Sequence, residues 1–252
     1  MKKATWTLIT LILITTAACK KNHPPINRVA HAGGGLENKR YTNTLEALDE
    51  NYKRGFRLFE LDLSWTSDNH LVCLHDWKST AKRLLKLESG KPLTLTSFHQ
   101  RAKEVYQWTP CDLSSLNNWL TKHPEAYIVT DIKGRIEKGH QLIADTLPKK
   151  LNQIIPQFTQ KDHYNKIKDQ GFSKMIWTLF SYNGTPKTLA DDRRHMKLFA
   201  ITMPKSKADA GWALTTGDTP TYVHTINDPK VAKHYTQNLG ISSVYTDFLP
   251  SK

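Results

Sequence analysis

The apolar positions of the chain fall into short runs between polar stretches, and the spacing inside each run predicts its element. Val29 and Ala30 lead into His31 as a short strand that stops at a Gly33-Gly34-Gly35 turn. Leu45, Leu48 and Tyr52 then recur at helical spacing, with Asn43 as the cap, Glu46 three residues on and Gly55 as the stop. Two strands follow at 59–63 and 71–75, joined by a turn at Asp68-Asn69 with no room for a helix. Residues 78–125 form a longer basic insertion, whose last part predicts a helix from about Asp112 with Leu113, Leu116, Trp119 and Leu120 on one face. AYIVTDI at 126–132 predicts the next strand. The second half alternates more evenly, with strands at 154–158, 175–180, 198–203, 221–226 and 244–246 and helices at 161–170, 187–196 and 228–239. Such alternation predicts parallel strands in an α/β fold. A chain of 252 residues suits a single α/β barrel of the TIM type, (β/α)8 but somewhat irregular, with an insertion after the third strand. Nine strand candidates for eight staves mean that one is misplaced or lies outside.

Side chains alternate faces along a strand, so Glu60 and Asp62 point one way while Phe59, Leu61 and Leu63 point the other. Two neighbouring carboxylates repel, and a hard divalent cation, Ca²⁺ or Mg²⁺, relieves them. Asp131 and Lys133 share a face by the same rule. In a parallel barrel, reactive side chains collect at the carboxyl ends of the strands, where this assignment puts His31, Glu60, Asp62, His75, Asp131 and Lys133. Charged groups gathered there must neutralise one another or hold a ligand. Trp65 and Trp177, near strand ends, are candidates for lining a substrate cleft or for packing at core or rim. Asn43 could contact phosphate, although capping already explains it, and Asp76 and Asp247 read as strand-end hydrogen bonders. The remaining histidines, from His23 through His70, His99 and His123 to the later ones, read as surface residues, with His224 ambiguous inside a strand.

Composition changes the picture in two places. Hydrophobic content is 38% and mean hydropathy −0.54, an ordinary body with a wet surface. The formal net charge of +13 favours anionic partners, yet the cations are scattered and no nucleic-acid motif is present. A phosphorylated substrate or an anionic membrane surface fits better than nucleic acid.

The amino terminus reads as a targeting segment. Lys2 and Lys3 precede a short apolar run, and Thr16-Ala17-Ala18-Cys19 resembles a bacterial lipobox with Cys19 as the lipidated residue. The expected organisation is therefore a signal peptide at 1–18, a lipidated tether at 19–27 and the barrel at 28–252. Cleavage before Cys19 removes two lysines and no acid, lowering the charge to +11. Lys20 after the cysteine points to the periplasmic face of the outer membrane in a Gram-negative cell. Cys73 and Cys111 read as free thiols, because Cys73 shares a face with His75 and points into the sheet.

His31-Ala32-Gly33, Asn43-Thr44, Gly55, Glu60-Leu61-Asp62, Thr66-Ser67-Asp68 and His75-Asp76 occur in one order within about fifty residues, and Thr246-Asp247 follows near the carboxyl end. This series resembles the glycerophosphodiester phosphodiesterases. The resemblance implies a barrel holding one divalent cation through Glu60, Asp62 and Asp131, with His31 as general base and His75 as general acid. It also implies that Lys133 contacts the phosphate, and that a glycerol hydroxyl can attack to give a cyclic phosphate that water then opens. The chain departs from the pattern at Ala32, where the family has Arg, at Thr42, where it has Glu, and at Asp131, a shorter acid than the family's Glu. Lys39 or Arg40 could replace the lost cation. Two alternatives stand beside hydrolysis: a cyclising phospholipase-like lyase of the same superfamily, and a surface lipoprotein that binds a phosphoester without cleaving it.

Overall fold

The structure is a computed structural model that describes residues 27–252; the signal peptide, Cys19 and all of the tether except Asn27 lie outside the described residues. In chain order the elements are β1 (Val29–Ala30), α1 (Leu45–Lys53), β2 (Leu58–Trp65), β3 (Leu71–Cys73), α2 (Ser79–Leu85), α3 (Leu95–Val105), α4 (Leu113–Lys122), β4 (Tyr127–Ile132), α5 (Ile136–Thr146), β5 (Ile154–Phe158), α6 (His163–Asp169), β6 (Ile176–Thr178), α7 (Pro186–Arg193), β7 (Ala200–Pro204), α8 (Lys205–Asp209), β8 (Thr221–His224), α9 (Pro229–Asn238) and β9 (Ser243–Thr246). Eight strands pair in parallel in the order β1, β2, β4, β5, β6, β7, β8, β9, and β9 returns to β1 to close a TIM-type barrel.

Two apolar layers follow from the alternation within the strands. Val29, Leu58, Val129, Ile155, Ile176, Ala200, Tyr222 and Tyr245 fill the inside of the barrel. Phe59, Leu61 and Leu63 face outward and join the larger core between strands and helices. All eight residues of β2 are buried, as a strand covered on both faces requires. Glu60 and Asp62 thus continue the inner column begun by Leu58 and rise above the apolar plug.

The ninth strand is β3, and it lies outside the barrel. It runs antiparallel to β2, pairing Leu63 with Cys73 and Trp65 with Leu71. A parallel return needs a crossover of roughly a dozen residues or more, and only five separate these strands. The turn closes on itself: Thr66 Oγ1 accepts from His70 N at 2.8 Å, and Asn69 takes a left-handed φ of 65°. His75 therefore reaches the site on a hairpin arm, not at the carboxyl end of a parallel stave as the sequence suggests.

Three further expectations are corrected. Cys73 and Cys111 form a disulfide instead of two free thiols. Cys73 N donates to Cys111 O at 2.7 Å and Val72 bridges Asp112, so the chain leaving the insertion runs along β3 and brings the thiols together. The cap of α1 is Thr44, whose side chain accepts from Ala47 N, and Asn43 is released for another purpose. His140 is fully buried on α5, within 2.9 Å of Thr130 Oγ1, and is no surface residue. The helix predicted from Asp112 forms as α4, with Asp112 and Ser115 making a reciprocal capping box. In the insertion, α2 and α3 pack on their own small core of Val72, Leu74, Trp77, Leu84, Leu85 and Phe98.

Candidate active site

At the carboxyl end of the barrel, β2 and β4 lie side by side with Asp62 opposite Asp131 in register. Oxygens of Glu60, Asp62 and Asp131 all come within 4.8 Å of one another. Lys133, two residues beyond Asp131 on the same face, places Nζ 2.8 Å from Asp62 Oδ1 and 2.7 Å from Asp131 Oδ2. Three carboxylates thus face one ammonium. The set consists of oxygen donors alone, which suits a hard cation, and its span matches opposite ligands around a Ca²⁺ held at roughly 2.3–2.6 Å. Around the smaller Mg²⁺ the same oxygens would draw closer together.

Two of the three acids are held from behind. Ala32 N donates to Glu60 Oε2 at 2.7 Å, from a residue in the left-handed region with φ 50°. Asn43 grips Asp62 twice, donating Nδ2 to Oδ2 and accepting from the Asp62 backbone N, both at 3.0 Å. Asn51 donates to the carbonyls of Gly33, Gly35 and Ala47 and ties the glycine turn beside His31 to α1. Burial, followed by repulsion from Asp62, pushes the Glu60 carboxyl well above the ordinary carboxylate range. Lys133 is held well above the usual range, since Asp62, Asp131 and Glu60 outweigh its burial.

Two imidazoles face this acidic floor, each oriented by its own carboxylate. His31 Nδ1 lies 2.9 Å from Asp247 Oδ1, and Asn227 Nδ2 donates to the other oxygen of Asp247 at 2.7 Å. His75 Nδ1 lies 2.9 Å from Asp76 Oδ2. Asp76 in turn accepts from Lys78 N, Thr80 N, Ser79 Oγ and Thr80 Oγ1 at the start of α2. Burial works against the charged His31, but the bond to Asp247 and the nearby Glu60 and Asp62 raise it to about 9. The two rings differ in exposure: the His31 side chain is 12% exposed and that of His75 39%. Tyr41 stands between them, its ring edge-on to His31 at 4.7 Å and to His75 at 5.1 Å.

His31, His75, Glu60, Asp62, Asp131 and Lys133 line one cavity of about 340 Å³, the volume of a small ligand site. The sequence model of the glycerophosphoryl diester phosphodiesterase family matches residues 31–181, which begin at His31 and include all six. The chain belongs to this family. Membership makes it an enzyme that cleaves glycerophosphodiesters.

Solved structures of the family share the barrel. A glycerophosphodiester phosphodiesterase from Thermotoga maritima superposes with a TM-score of 0.69 at 20% identity, over 89% of this chain and 96% of that one. An Oleispira antarctica phosphodiesterase, solved in complex with the product sn-glycerol-3-phosphate, gives 0.68 at 17% identity over 88% and 93%. A glycerophosphodiester phosphodiesterase from Parabacteroides distasonis gives 0.68 at 16% over 89% and 93%. At these identities the likeness speaks for the fold. No curated protein matches the chain.

The remaining expected residues stand elsewhere. Asn43 is buried beneath Asp62 and does not line the cavity. Trp65 is buried with Nε1 donating to Gly134 O, under the Arg135 guanidinium, and fastens the rim between β2 and the loop after β4. Trp177 is fully buried outside the barrel wall, with Nε1 on Thr159 O. Neither Lys39 nor Arg40 takes the place of the family's Arg, and among the described residues Lys133 is the only Lys or Arg lining the catalytic cavity.

Several lining residues carry a weaker sequence signal. Gln157 is a polar residue in the otherwise apolar β5, and His224, with Nδ1 2.9 Å from Thr202 Oγ1, lies at the end of β8. Both break a buried apolar strand, the signal that already marks His224 as ambiguous in the sequence and that could have found Gln157. Tyr41 leaves no such mark. It sits in a loop in the left-handed region, φ 56°, and only the folded chain brings it between two histidines.

Proposed function

We propose that the protein is a metal-dependent glycerophosphodiesterase in which His31 and His75 act as general base and general acid. The observation that carries this reading is the pair of carboxylate-oriented imidazoles facing a triad of acids and a lysine across one small cavity. Glu60, Asp62 and Asp131 would hold the cation. When bound, it supplies positive charge to the phosphate oxygens and offsets the carboxylate charge that keeps His31 protonated.

The chain's own residues account for the remaining requirements. The buried His31, with Nδ1 fixed by Asp247, keeps Nε2 free to take the proton of the attacking hydroxyl. His75 is the more exposed ring and stands on the side from which an alcohol can leave, so its Nε2 delivers the proton to the departing oxygen. Lys133 stabilises the charge that grows on the phosphoryl oxygens. Asn43 and the Ala32 N–H keep two of the acids from turning away. Tyr41, between the imidazoles, limits the rotation of both.

The test is turnover of glycerophosphocholine and glycerophosphoethanolamine with Ca²⁺ or Mg²⁺, followed by phosphorus NMR. Release of glycerol phosphate and the free alcohol is expected. Accumulation of a cyclic phosphate as the end product favours the lyase reading, and no turnover of any diester with metal present contradicts the proposal. At the cell level, the pattern ending in Cys19 supports lipid anchoring in the envelope, and the Cys73–Cys111 disulfide suits an oxidising compartment. Release of the Cys19→Ser protein from the membrane fraction is the outcome that reading expects.

A further inference from the structure

Beyond the catalytic cavity, Tyr41 and His75 also line a second hollow of about 300 Å³ together with Ser79, Thr80 and Arg83. Arg83 in turn lines a third, of about 390 Å³, between the loop after His31 and the insertion helices α2 and α3. That third cavity has a buried floor of Trp108 and Leu84 and a mouth of Lys39, Arg83 and Lys86. No carboxylate lines it. None of the three cations makes an ion pair among the described residues. Lys39 lies over the Trp108 ring at 4.4 Å, Arg83 donates to the carbonyl of Arg40 at 3.3 Å, and Lys86 donates to the carbonyl of Arg83 at 3.2 Å. Glu37, bonded to Gln107 of the wall at 3.1 Å, pairs with none of them, so the three cations around the pocket repel one another, and an anion relieves them.

We propose that this basic pocket binds an anionic group, a second phosphate or a carboxylate, carried by the alcohol that leaves the scissile diester. The inference rests on the proposed roles of the two histidines. If His75 protonates the leaving oxygen, that alcohol departs on the side of His75, and the shared walls at His75, Tyr41 and Arg83 lead from there to the three cations. Trp108 offers an apolar surface for the carbon skeleton of the headgroup. The enzyme would then prefer a soluble diester whose headgroup carries additional negative charge over one with a neutral or cationic headgroup.

Two measurements test it. The first is calorimetric binding of myo-inositol 4-phosphate, with myo-inositol as the uncharged control, to the wild-type protein and to the Lys39→Gln/Lys86→Gln variant. Binding of the phosphate alone, weakened roughly tenfold in the variant, is expected for two lost charge contacts. Equal affinity in the two proteins, or no binding, overturns the proposal. So does capture of phosphatidylglycerol vesicles through Lys39 and Lys86 without binding of the soluble phosphate. The second compares kcat/KM for glycerophosphoinositol with and without a 4-phosphate. A preference for the phosphorylated substrate of about tenfold, expressed in KM and reduced in the variant, is expected. A ratio near one overturns the proposal. Binding that depends on Lys39 and Lys86, together with no turnover of either diester, supports the pocket and counts instead against the catalytic reading.

Discussion

His140 shows how much a single residue's surroundings decide. Burial, with a smaller push from His163, drives it down to about 3, against an ordinary 6.5, so it stays neutral in the fold while the unfolded chain takes up a proton. A base with a depressed folded pKa lends no penalty above pH 6.5 and destabilises progressively as pH falls toward 3. At pH 4.5 the cost is about 2–3 kcal/mol. Urea denaturation at pH 7 and pH 4.5 should show a smaller acid loss in His140→Gln than in the wild type; an equal loss contradicts the account. His31 runs the other way. Its stabilisation is complete below pH 6.5 and is lost as pH rises through about 9, because the acids around it favour the charged ring. Asp247→Asn removes the carboxylate charge that helps raise it and turns one of the two accepting oxygens, engaged by His31 and Asn227, into a donor. The variant should titrate lower by proton NMR and lose about 10–100-fold in kcat, as removal of an orienting partner typically does. An unchanged kcat would remove Asp247 from the catalytic account. At this scale the sequence was legible wherever charge sat in an apolar strand: His31, Glu60, Asp62, Asp131 and Lys133 all come together. It was not legible where a residue's role depends on a contact distant in the chain, as with Tyr41, Asn51 and the true partner of Asn43.

Among the elements, strands were easier to read than the helices packed against them. The expected strand at 154–158 matches β5, and the helix expected from Asp112 forms behind its cap, since both carry strong local patterns. The sequence reading places no helix between Ile132 and Ile154, yet α5 lies there with Gly139 in its middle. The glycine has a packing reason: a Cβ at that position would lie 2.8 Å from Ile132 Cδ1 and 2.9 Å from its Cγ2. Helix propensity alone favours Ala over Gly by about 1 kcal/mol. Overpacking typically costs about 1–3 kcal/mol and should win. Gly139→Ala is expected to lower the urea midpoint, and a raised midpoint would show that Ile132 yields. The strand at 71–75 was legible, but its antiparallel pairing was not, because alternation does not encode strand direction. The disulfide escaped because 38 residues separate its cysteines and no spacing rule pairs them. In the chain-entropy picture a loop of that length contributes roughly 4 kcal/mol, which anchors the insertion and with it the pocket formed by Lys39, Arg83, Lys86 and Trp108.

For the molecule as a whole, the closed barrel does one thing that no element does alone. It carries His31 from β1, Glu60 and Asp62 from β2, Asp131 and Lys133 from β4 and Asp247 from the end of β9 to one rim. That convergence was readable because parallel strands put their carboxyl ends together whatever their order. The path from the catalytic cavity into the insertion was not, since it depends on how α2 and α3 dock. The central claim is that three acids hold one ion beneath two histidines. Calorimetric titration of Ca²⁺ into the chelator-treated protein tests it most directly. One ion per chain is predicted, with binding abolished in Glu60→Gln. No binding of Ca²⁺ or of Mg²⁺, or binding undiminished by that substitution, would contradict the account.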